Sequence, residues 1–269
     1  MEYIAEIGWN FMGDLDLAQD MINDAADAGA TTAKFQYWKP SKLKNGDWDL
    51  DGRREIYEQA KLNEEKILSL KKMCNLANIR FLISVFNADD AEELAALGLK
   101  SIKIPSHEIA NKQLHLKCME KFETIYLSCG ACTGEELDEV AALYANRSTD
   151  QRLIAMHCIS SYPCPPEKTN LPRFITLKKK FMSDLGFSDH STSTLIPALS
   201  VTHGCTVIEK HFTSDKNLPG RDNKFALIKD EFRQMVDACE QAVLANIDLG
   251  IDYLDIEATT VNDYRGRWG

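Results

Sequence analysis

Positive charge is scarce in this sequence, which has 31 lysine and arginine residues against 41 acidic ones and a formal net charge of −10. A protein that binds nucleic acid needs a basic surface to neutralise phosphates, so this balance argues against a nucleic-acid partner. Any anionic ligand must instead be held by a local cluster of hydrogen-bond donors and cations.

Long hydrophobic runs are also missing from the sequence. No apolar stretch approaches the roughly 20 residues that span a membrane. The first residues, MEYIAEIG, have neither the basic start nor the apolar centre of a signal peptide. These absences predict a cytoplasmic protein without a membrane partner.

The eight cysteines are spread over 269 residues and do not form the dense framework of a small secreted domain. Cys129 and Cys132 have CxxC spacing, but no second CxxC pair occurs elsewhere. Redox motifs of this spacing open a helix, and zinc sites usually need a second pair. We therefore interpret the two residues as packed thiols.

No stretch rich in proline, glycine or serine divides the chain, which predicts one domain over residues 1–269 that ends in a short C-terminal tail. Segments with helical spacing, such as LDLAQDMINDAADAG, alternate with short segments of strand character. The strand segments are residues 3–7, 32–35, 80–85, 101–104, 124–127, 153–156, 185–187 and 206–208. Eight such repeats predict an α/β fold, a (β/α)8 TIM barrel, with a doubly wound open sheet as the alternative.

Polar residues follow every predicted strand. In a barrel the C-terminal ends of the strands meet at one rim, where barrel enzymes carry their active sites. A barrel with a purely structural role does not need such a rim. The polar rim residues are Glu6, Asn10, Lys34, Gln36, Asn87, Lys103, Ser106, Glu108, Ser128, His157, Ser160, Tyr162, Ser188, Asp189, His190, Glu209, Lys210 and His211.

Two histidines occupy matching places in successive segments, GFSDHSTSTL at residues 186–195 and VIEKHFT at residues 207–213. Two neutral imidazoles and a carboxylate suit Mn²⁺, Fe²⁺ or Zn²⁺ with one coordination position left open. We therefore predict a metal site at His190 and His211. His157 lies within an apolar run and is interpreted as a core residue.

Lys34 and Lys103 each follow apolar strand residues. A buried lysine is costly without a nearby anion, so we predict an anionic ligand beside these two side chains. Serine hydroxyls at positions 106, 128 and 188 would add uncharged donors suited to phosphate. The sequence has no glycine-rich phosphate loop of the Walker or dinucleotide type.

The stretch from Asp47 to Glu58, DWDLDGRREIYE, matches the spacing of an EF-hand calcium loop. Its context does not match, because no helix is predicted before it and Arg54 stands where an apolar residue is usual. We interpret this stretch as a solvated loop and keep calcium binding as the alternative.

Taken together, these residues resemble the sialic acid synthase family, whose members condense phosphoenolpyruvate with an N-acyl amino sugar. The similar stretches run in the family's order across nearly the whole chain: AEIGWN, AGATTAKFQ, KIPSHEIAN, LSCGACTGEEL, HCISSYPCPPEKTNL, GFSDHS and VIEKHFTSDKNLPGRD. The resemblance implies a (β/α)8 barrel, a homodimer, and a divalent metal on His190 and His211. Mn²⁺ is the expected metal, with Mg²⁺ and Co²⁺ as alternatives.

The resemblance also assigns roles to individual residues. It implies that phosphoenolpyruvate is bound by Lys34, Gln36, Lys103, Ser106, Ser128, Ser160 and Ser188. It implies that Glu108, Tyr162 and Asp222 face a sugar aldehyde and that, with Lys103, they form the catalytic set. The expected products are a nonulosonate-type sugar acid and phosphate.

Three positions depart from the family's pattern: Phe11 replaces a usual histidine, Asn87 replaces an aspartate, and Cys129 replaces a threonine. The chain also ends about where the family's C-terminal antifreeze-like domain would begin, so only the barrel domain is expected. These departures leave the acceptor sugar open. The alternative functions are a metal-dependent sugar isomerase or aldolase and a non-catalytic barrel subunit.

Overall fold

Eight parallel strands form a closed barrel in the computed structural model, which describes residues 1–268. Each strand pairs with the next along the chain, and the eighth pairs with the first. The strands are β1 (Glu2–Gly8), β2 (Thr32–Tyr37), β3 (Arg80–Val85), β4 (Ser101–Ile104), β5 (Thr124–Ser128), β6 (Arg152–Cys158), β7 (Asp184–Asp189) and β8 (Cys205–His211). The predicted (β/α)8 barrel is confirmed, and the doubly wound alternative is wrong because the sheet has no edge strands.

Helices connect the strands and surround the barrel. They are α1 (Leu15–Asp27), α2 (Arg53–Ala60), α3 (Glu64–Leu76), α4 (Ala88–Ala96), α5 (Lys112–Lys121), α6 (Gly134–Tyr144), α7 (Arg173–Phe181), α8 (Ile196–Val201) and α9 (Lys229–Ala245). Among the residues described, none of these helices has both the length and the apolar character needed to cross a membrane.

Polar side chains fix the points at which several helices begin. Asp14, Asn63 and Thr133 accept hydrogen bonds from backbone N–H groups in the first turns of α1, α3 and α6. Asn87 caps α4 in the same way, accepting from the backbone N–H of Asp90 at 2.9 Å. Such caps satisfy N–H groups that have no partner within the helix. Asn87, which replaces the family's usual aspartate, therefore still caps the helix that follows β3.

The core has two layers because successive strand residues point to opposite faces. Between the strands and the helices, the large outer layer includes Ile7, Phe35 and Val85. Inside the barrel, a smaller cluster consists of Ile4, Leu82, Tyr126, Ile154, Met156 and Val207. This inner cluster fills the barrel's middle, so the inward residues that follow it, such as Glu6 on β1 and Glu209 on β8, lie at the C-terminal end.

The N-terminal end of the barrel is closed by the buried carboxylate of Glu2. One of its oxygens accepts a hydrogen bond from the Tyr126 hydroxyl at 2.6 Å and lies 2.8 Å from Arg80. Its other oxygen lies 3.6 Å from Arg152. Both oxygens of this carboxylate therefore have partners within the protein.

The sequence predicted a solvated loop from Asp47 to Glu58, but only part of this segment is a loop. A single 3-10 turn covers Asp47–Asp49, and α2 begins at Arg53. Asp49 forms an ion pair with Arg54, and Asp51 pairs with Arg53. These pairs engage two of the carboxylates that the calcium interpretation requires as ligands.

Beyond α9, residues 246–268 lie outside the barrel and are largely exposed. They contain a 3-10 turn at Asp255–Glu257 and one helical turn at Thr260–Tyr264. Ile251 and Ile256 are 99% and 89% exposed, so this segment adds nothing to the core described above.

Candidate active site

A cavity of about 270 Å³ opens at the C-terminal ends of the strands. Ten of the predicted site residues line it: Lys34, Gln36, Lys103, Ser106, Ser128, Tyr162, Ser188, His190, His211 and Asp222. They come from six of the eight strands and the loops that follow those strands, and they meet only because the barrel closes. We call this space the inner cavity.

Two lysines form the floor of the inner cavity together with two glutamates. The Nζ atom of Lys34 lies 2.7 Å from Glu6 and 3.8 Å from Glu209, and the Nζ atom of Lys103 lies 2.6 Å from Glu209. Lys103 and Glu209 are on β4 and β8, so their ion pair crosses the interior of the barrel. An external anion is therefore not required to offset the burial of the two lysines, because the protein's own carboxylates do so.

Burial and these pairs act in opposite directions on the two lysines. Burial favours the neutral amine of Lys34, but Glu209 and Glu6 outweigh it, so the pKa of Lys34 is raised. Burial dominates at Lys103, whose pKa is lowered despite its contact with Glu209. One oxygen of Glu209, Oε2, accepts no hydrogen bond in the part of the chain that is described. The floor of the inner cavity therefore contains a hydrogen-bond acceptor without a donor, Glu209 Oε2, close to two lysine side chains.

Gly130 leaves room for a cradle of hydroxyl groups. A Cβ atom at this position would lie 2.8 Å from Ser106 Oγ, 2.8 Å from the carbonyl oxygen of Cys158 and 3.0 Å from Ser160 Oγ. Ser160 does not line the inner cavity itself but borders this cradle. Hydroxyl donors that converge on an open space beside Lys103 can bind an oxyanion.

The two predicted metal ligands face each other, with 5.6 Å between the centroids of the His190 and His211 rings. His190 Nδ1 lies 2.8 Å from the carbonyl oxygen of Ile159, which assigns the proton to Nδ1 and leaves the Nε2 lone pair free. His211 Nδ1 is buried and has no hydrogen-bond partner in residues 1–268. Burial lowers the pKa of His211 well below its usual value, and the nearby His190 lowers it further.

These imidazoles fit a divalent metal that takes two ligands from the protein. A buried ring nitrogen without a partner and a second ring oriented by a carbonyl group are typical of histidine ligands. Within the described chain, no third His, Cys, Asp or Glu joins them in a group able to hold a metal. The Oδ2 atom of Asp222 lies 3.8 Å from His211 Nδ1.

Tyr162 and Asp222 lie at the mouth of the inner cavity. The Tyr162 ring lies against His190 with 4.1 Å between centroids, and the guanidinium carbon of Arg221 lies 5.6 Å from the centroid of the Tyr162 ring. Burial, together with the charge of Glu6, raises the pKa of Asp222 to about 6. Asp222 can therefore exchange a proton near neutral pH.

A second space of about 920 Å³, which we call the vestibule, adjoins the inner cavity. Gln36, Phe86, His107 and Arg221 line both spaces. Three of the four tryptophans of the chain, Trp9, Trp38 and Trp48, line the vestibule. Tyr57 packs edge-on against Trp9 and Trp38, with centroid distances of 5.2 and 4.6 Å.

Glu108 lines the vestibule rather than the inner cavity. Its Oε2 atom accepts a hydrogen bond from Asn111 Nδ2 at 2.7 Å. Glu108 is thus the predicted catalytic residue that lies farthest out, next to His107, which borders both spaces.

Several residues of the inner cavity were not named as ligands or catalytic groups from the sequence: Glu6, Ser84, Phe86, Cys158, Glu209 and Arg221. Cys158 is the clearest case, since its Sγ atom lies 3.2 Å from Ser106 Oγ and 3.8 Å from His190 Nδ1. Burial alone would raise the pKa of this thiol, but His190 and Ser106 lower it to about 7. Strand alternation could have revealed it, because Cys158 shares the inward face of β6 with Met156.

Other side chains belong to the core. His157 is fully buried, and its Nε2 atom lies 2.7 Å from the carbonyl oxygen of Thr169, which confirms its interpretation as a core residue. Phe11 packs edge-on against Phe35. Cys129 is buried, and Cys132 accepts a hydrogen bond from Arg173. Both thiols are free and packed, as predicted.

Several known proteins are similar to this chain in sequence or in fold. N,N'-diacetyllegionaminic acid synthase from Legionella pneumophila is 34% identical over 254 residues, which cover 89% of this chain and 71% of that protein. Pseudaminic acid synthase from Campylobacter jejuni is 35% identical over 266 residues, covering 94% and 76%. The crystal structure of N-acetylneuraminic acid synthetase from Leptospira borgpetersenii superposes with a TM-score of 0.85 at 29% identity, covering 98% of this chain and 92% of that one. The model of the NeuB family matches residues 21–248, and the chain belongs to this family.

Proposed function

We propose that the protein condenses phosphoenolpyruvate with an aldose, an N-acylated amino sugar or a related hexose, in a reaction that depends on a divalent metal. The products are a nonulosonate-type sugar acid and phosphate. One observation carries the proposal: the two buried lysines, the hydroxyl cradle at Gly130 and the facing histidines all line or border one cavity. A cytoplasmic homodimer is part of the same proposal.

Phosphoenolpyruvate binds at the floor of the inner cavity. Lys34 and Lys103 supply the positive charge, and the hydroxyls of Ser106 and Ser160 donate to oxygens of the ligand in the space beside Gly130. Ser128, Ser188 and Gln36 complete the set of donors. Charge-assisted hydrogen bonds of this kind are among the stronger contacts in a site closed to water.

His190 and His211 would hold the metal, for which Mn²⁺ is the expected ion, with Mg²⁺ and Co²⁺ as alternatives. When bound, the ion supplies Lewis-acid activation of the aldehyde oxygen. The protein holds the two imidazole rings at a fixed separation. Burial of His211 lowers its pKa and so keeps its ring neutral, as a metal ligand must be.

The acceptor aldose extends from the metal site into the vestibule. Aromatic side chains offer large, stiff surfaces for the apolar faces and acyl groups of a sugar. Tyr162 and Asp222 at the mouth then contact the part of the acceptor nearest its aldehyde, and Glu108 contacts the part beyond it.

The reaction forms one bond between carbons and breaks one bond to phosphate. The enol carbon C3 of phosphoenolpyruvate attacks the aldehyde carbon, whose oxygen takes up a proton. Water adds to C2, and phosphate leaves with a proton as the C2–O bond breaks and the C2 ketone forms. Lys34 and Lys103 stabilise the negative charge of the tetrahedral centre. Electrostatic stabilisation of this kind is usually the largest single contribution of an active site to the rate.

The test is release of inorganic phosphate from phosphoenolpyruvate, measured with Mn²⁺ and a panel of N-acyl amino sugars and hexoses. We expect release that requires one acceptor and stops when a chelator is added. Binding of phosphoenolpyruvate without release for any acceptor would contradict the condensation, and absence of binding would favour an isomerase, an aldolase or a non-catalytic subunit.

A further inference from the structure

A buried ion pair lies behind the two histidines, on the opposite face of the sheet. Strand alternation turns His190 and His211 toward the inner cavity, and it turns Asp189 and Lys210 toward the surrounding helices. Asp189 and Lys210 face each other in the ladder between β7 and β8, and their side chains are 1% and 2% exposed. The corresponding layer on other strands is apolar, as at Val85, Ile104 and Leu127.

Lys210 ties the end of β8 to the chain that follows His190. Its Nζ atom donates to Asp189 Oδ2 at 2.5 Å and to the carbonyl oxygen of Ser193 at 3.1 Å. It also donates to the carbonyl oxygen and to the hydroxyl of Ser191. The residue that precedes His211 therefore contacts the chain on both sides of His190.

Asp189 fixes the turn after His190 from the other side. Its Oδ1 atom accepts from the backbone N–H of Ser191 at 2.9 Å, and its Oδ2 atom accepts from the Ser191 hydroxyl at 2.8 Å. These bonds fold residues 189–193 around the Lys210 ammonium. The backbone at His190 thus has little freedom to move relative to the backbone at His211.

Stability alone gives a weak reason for this pair. Replacing a buried ion pair with apolar residues is often neutral or stabilising, because desolvation of two charges offsets their attraction. We propose that Asp189 and Lys210 are positioning residues, which set the relative placement of the His190 and His211 rings for the metal. The inference rests on the metal site of the proposed function.

The first test measures Mn²⁺ affinity without substrates, by the electron paramagnetic resonance signal of free Mn²⁺. Asp189→Asn should weaken binding about 10-fold or more, the range seen when groups that orient metal ligands are changed. The matched control is Glu2→Gln, which also disturbs a buried carboxylate but lies at the opposite end of the barrel. It should lose comparable thermal stability and keep its Mn²⁺ affinity within about twofold.

The second test uses Asp189→Leu/Lys210→Met, which removes both charges and is expected to fold even if the single variant does not. Its crystal structure should show the His190 and His211 rings displaced by about 1 Å or more, a shift that matters for a reactive site. Unchanged ring positions, or an unchanged Mn²⁺ affinity in either variant, would overturn the inference. If the native chain binds no Mn²⁺, the proposed metal site fails, and the ring positions alone decide the positioning role.

Discussion

The two ends of the barrel use the same kinds of residues for different purposes. Strand β1 points Glu2 and Glu6 into the barrel at its two ends, about 13 Å apart along the strand. At the N-terminal end, both oxygens of Glu2 have partners. At the C-terminal end, Glu209 Oε2 and His211 Nδ1 are buried without hydrogen-bond partners among residues 1–268. Buried polar groups are nearly always satisfied, so these two atoms, whose residues line the inner cavity, are candidates for contacts with a ligand.

The two ends of the barrel also differ in what surrounds their buried carboxylates. The Glu2 carboxylate is surrounded by Tyr126, Arg80 and Arg152, whereas the residues around Glu209 line open space. Changes at the C-terminal end should therefore alter catalysis and ligand binding, whereas changes at the N-terminal end should alter only the free energy of unfolding.

The largest effect is expected for His211→Ala. Loss of a metal ligand removes several kcal/mol of transition-state stabilisation, which corresponds to a decrease in kcat/KM of about 10³-fold. The measurement is acceptor-dependent phosphate release with saturating Mn²⁺. His203→Ala, a histidine near the N-terminal end of β8, is the matched control and should keep its activity. Full activity of His211→Ala would remove the metal site from the proposal.

A smaller effect is expected for Gly130→Ala. The added Cβ would meet Ser106 Oγ and the Cys158 carbonyl oxygen at 2.8 Å, so the cradle must shift. Loss of one charge-assisted hydrogen bond should raise the KM for phosphoenolpyruvate about 10-fold, with a smaller change in the KM for the acceptor. Gly134→Ala is the control, because a Cβ there meets nothing within 4 Å. Equal KM values in the two variants would show that the cradle does not bind phosphoenolpyruvate.

A weaker effect should follow Trp38→Ala in the vestibule. Loss of one aromatic contact of about 1 kcal/mol should raise the KM for the acceptor roughly fivefold and leave the KM for phosphoenolpyruvate unchanged. Leu76→Ala, at an exposed side chain that precedes β3, serves as the control. An increase confined to the KM for phosphoenolpyruvate would place the acceptor elsewhere.

The smallest effect on catalysis is expected at the other end of the barrel. Glu2→Gln weakens the contacts to Arg80 and Arg152, which are themselves partly exposed, so the free energy of unfolding should fall by about 1–3 kcal/mol. Urea denaturation measures this loss, and kcat/KM should stay within about twofold of the native value. A large loss of activity would break the contrast between the two ends.

The strands could be predicted closely from the sequence because each is a short apolar run bounded by polar residues. One helix that the sequence analysis did not predict is α2, which has 8 residues. At α2 the acidic spacing of a calcium loop concealed a helix whose arginines pair with those acids.

The site residues could be listed from strand ends, but their pairing could not. Lys34 and Glu6 are partners in the ladder of neighbouring strands, which depends on the register between β1 and β2. Lys103 and Glu209 meet across the barrel, 106 positions apart in the chain, and only closure brings them together. A sequence gives no direct signal for contacts between opposite strands of a barrel.

Half of the residues that line the vestibule come from one continuous segment, residues 38–57 between β2 and α3. The inner cavity, by contrast, draws its residues from strand ends around the barrel. The proposed preference for an acceptor therefore depends largely on one segment that is separate from the strand ends. Exchange of this segment for that of a relative should change the acceptor specificity and leave the residues that form the carbon–carbon bond in place. The protein would then be a suitable starting point for engineering new sugar acids.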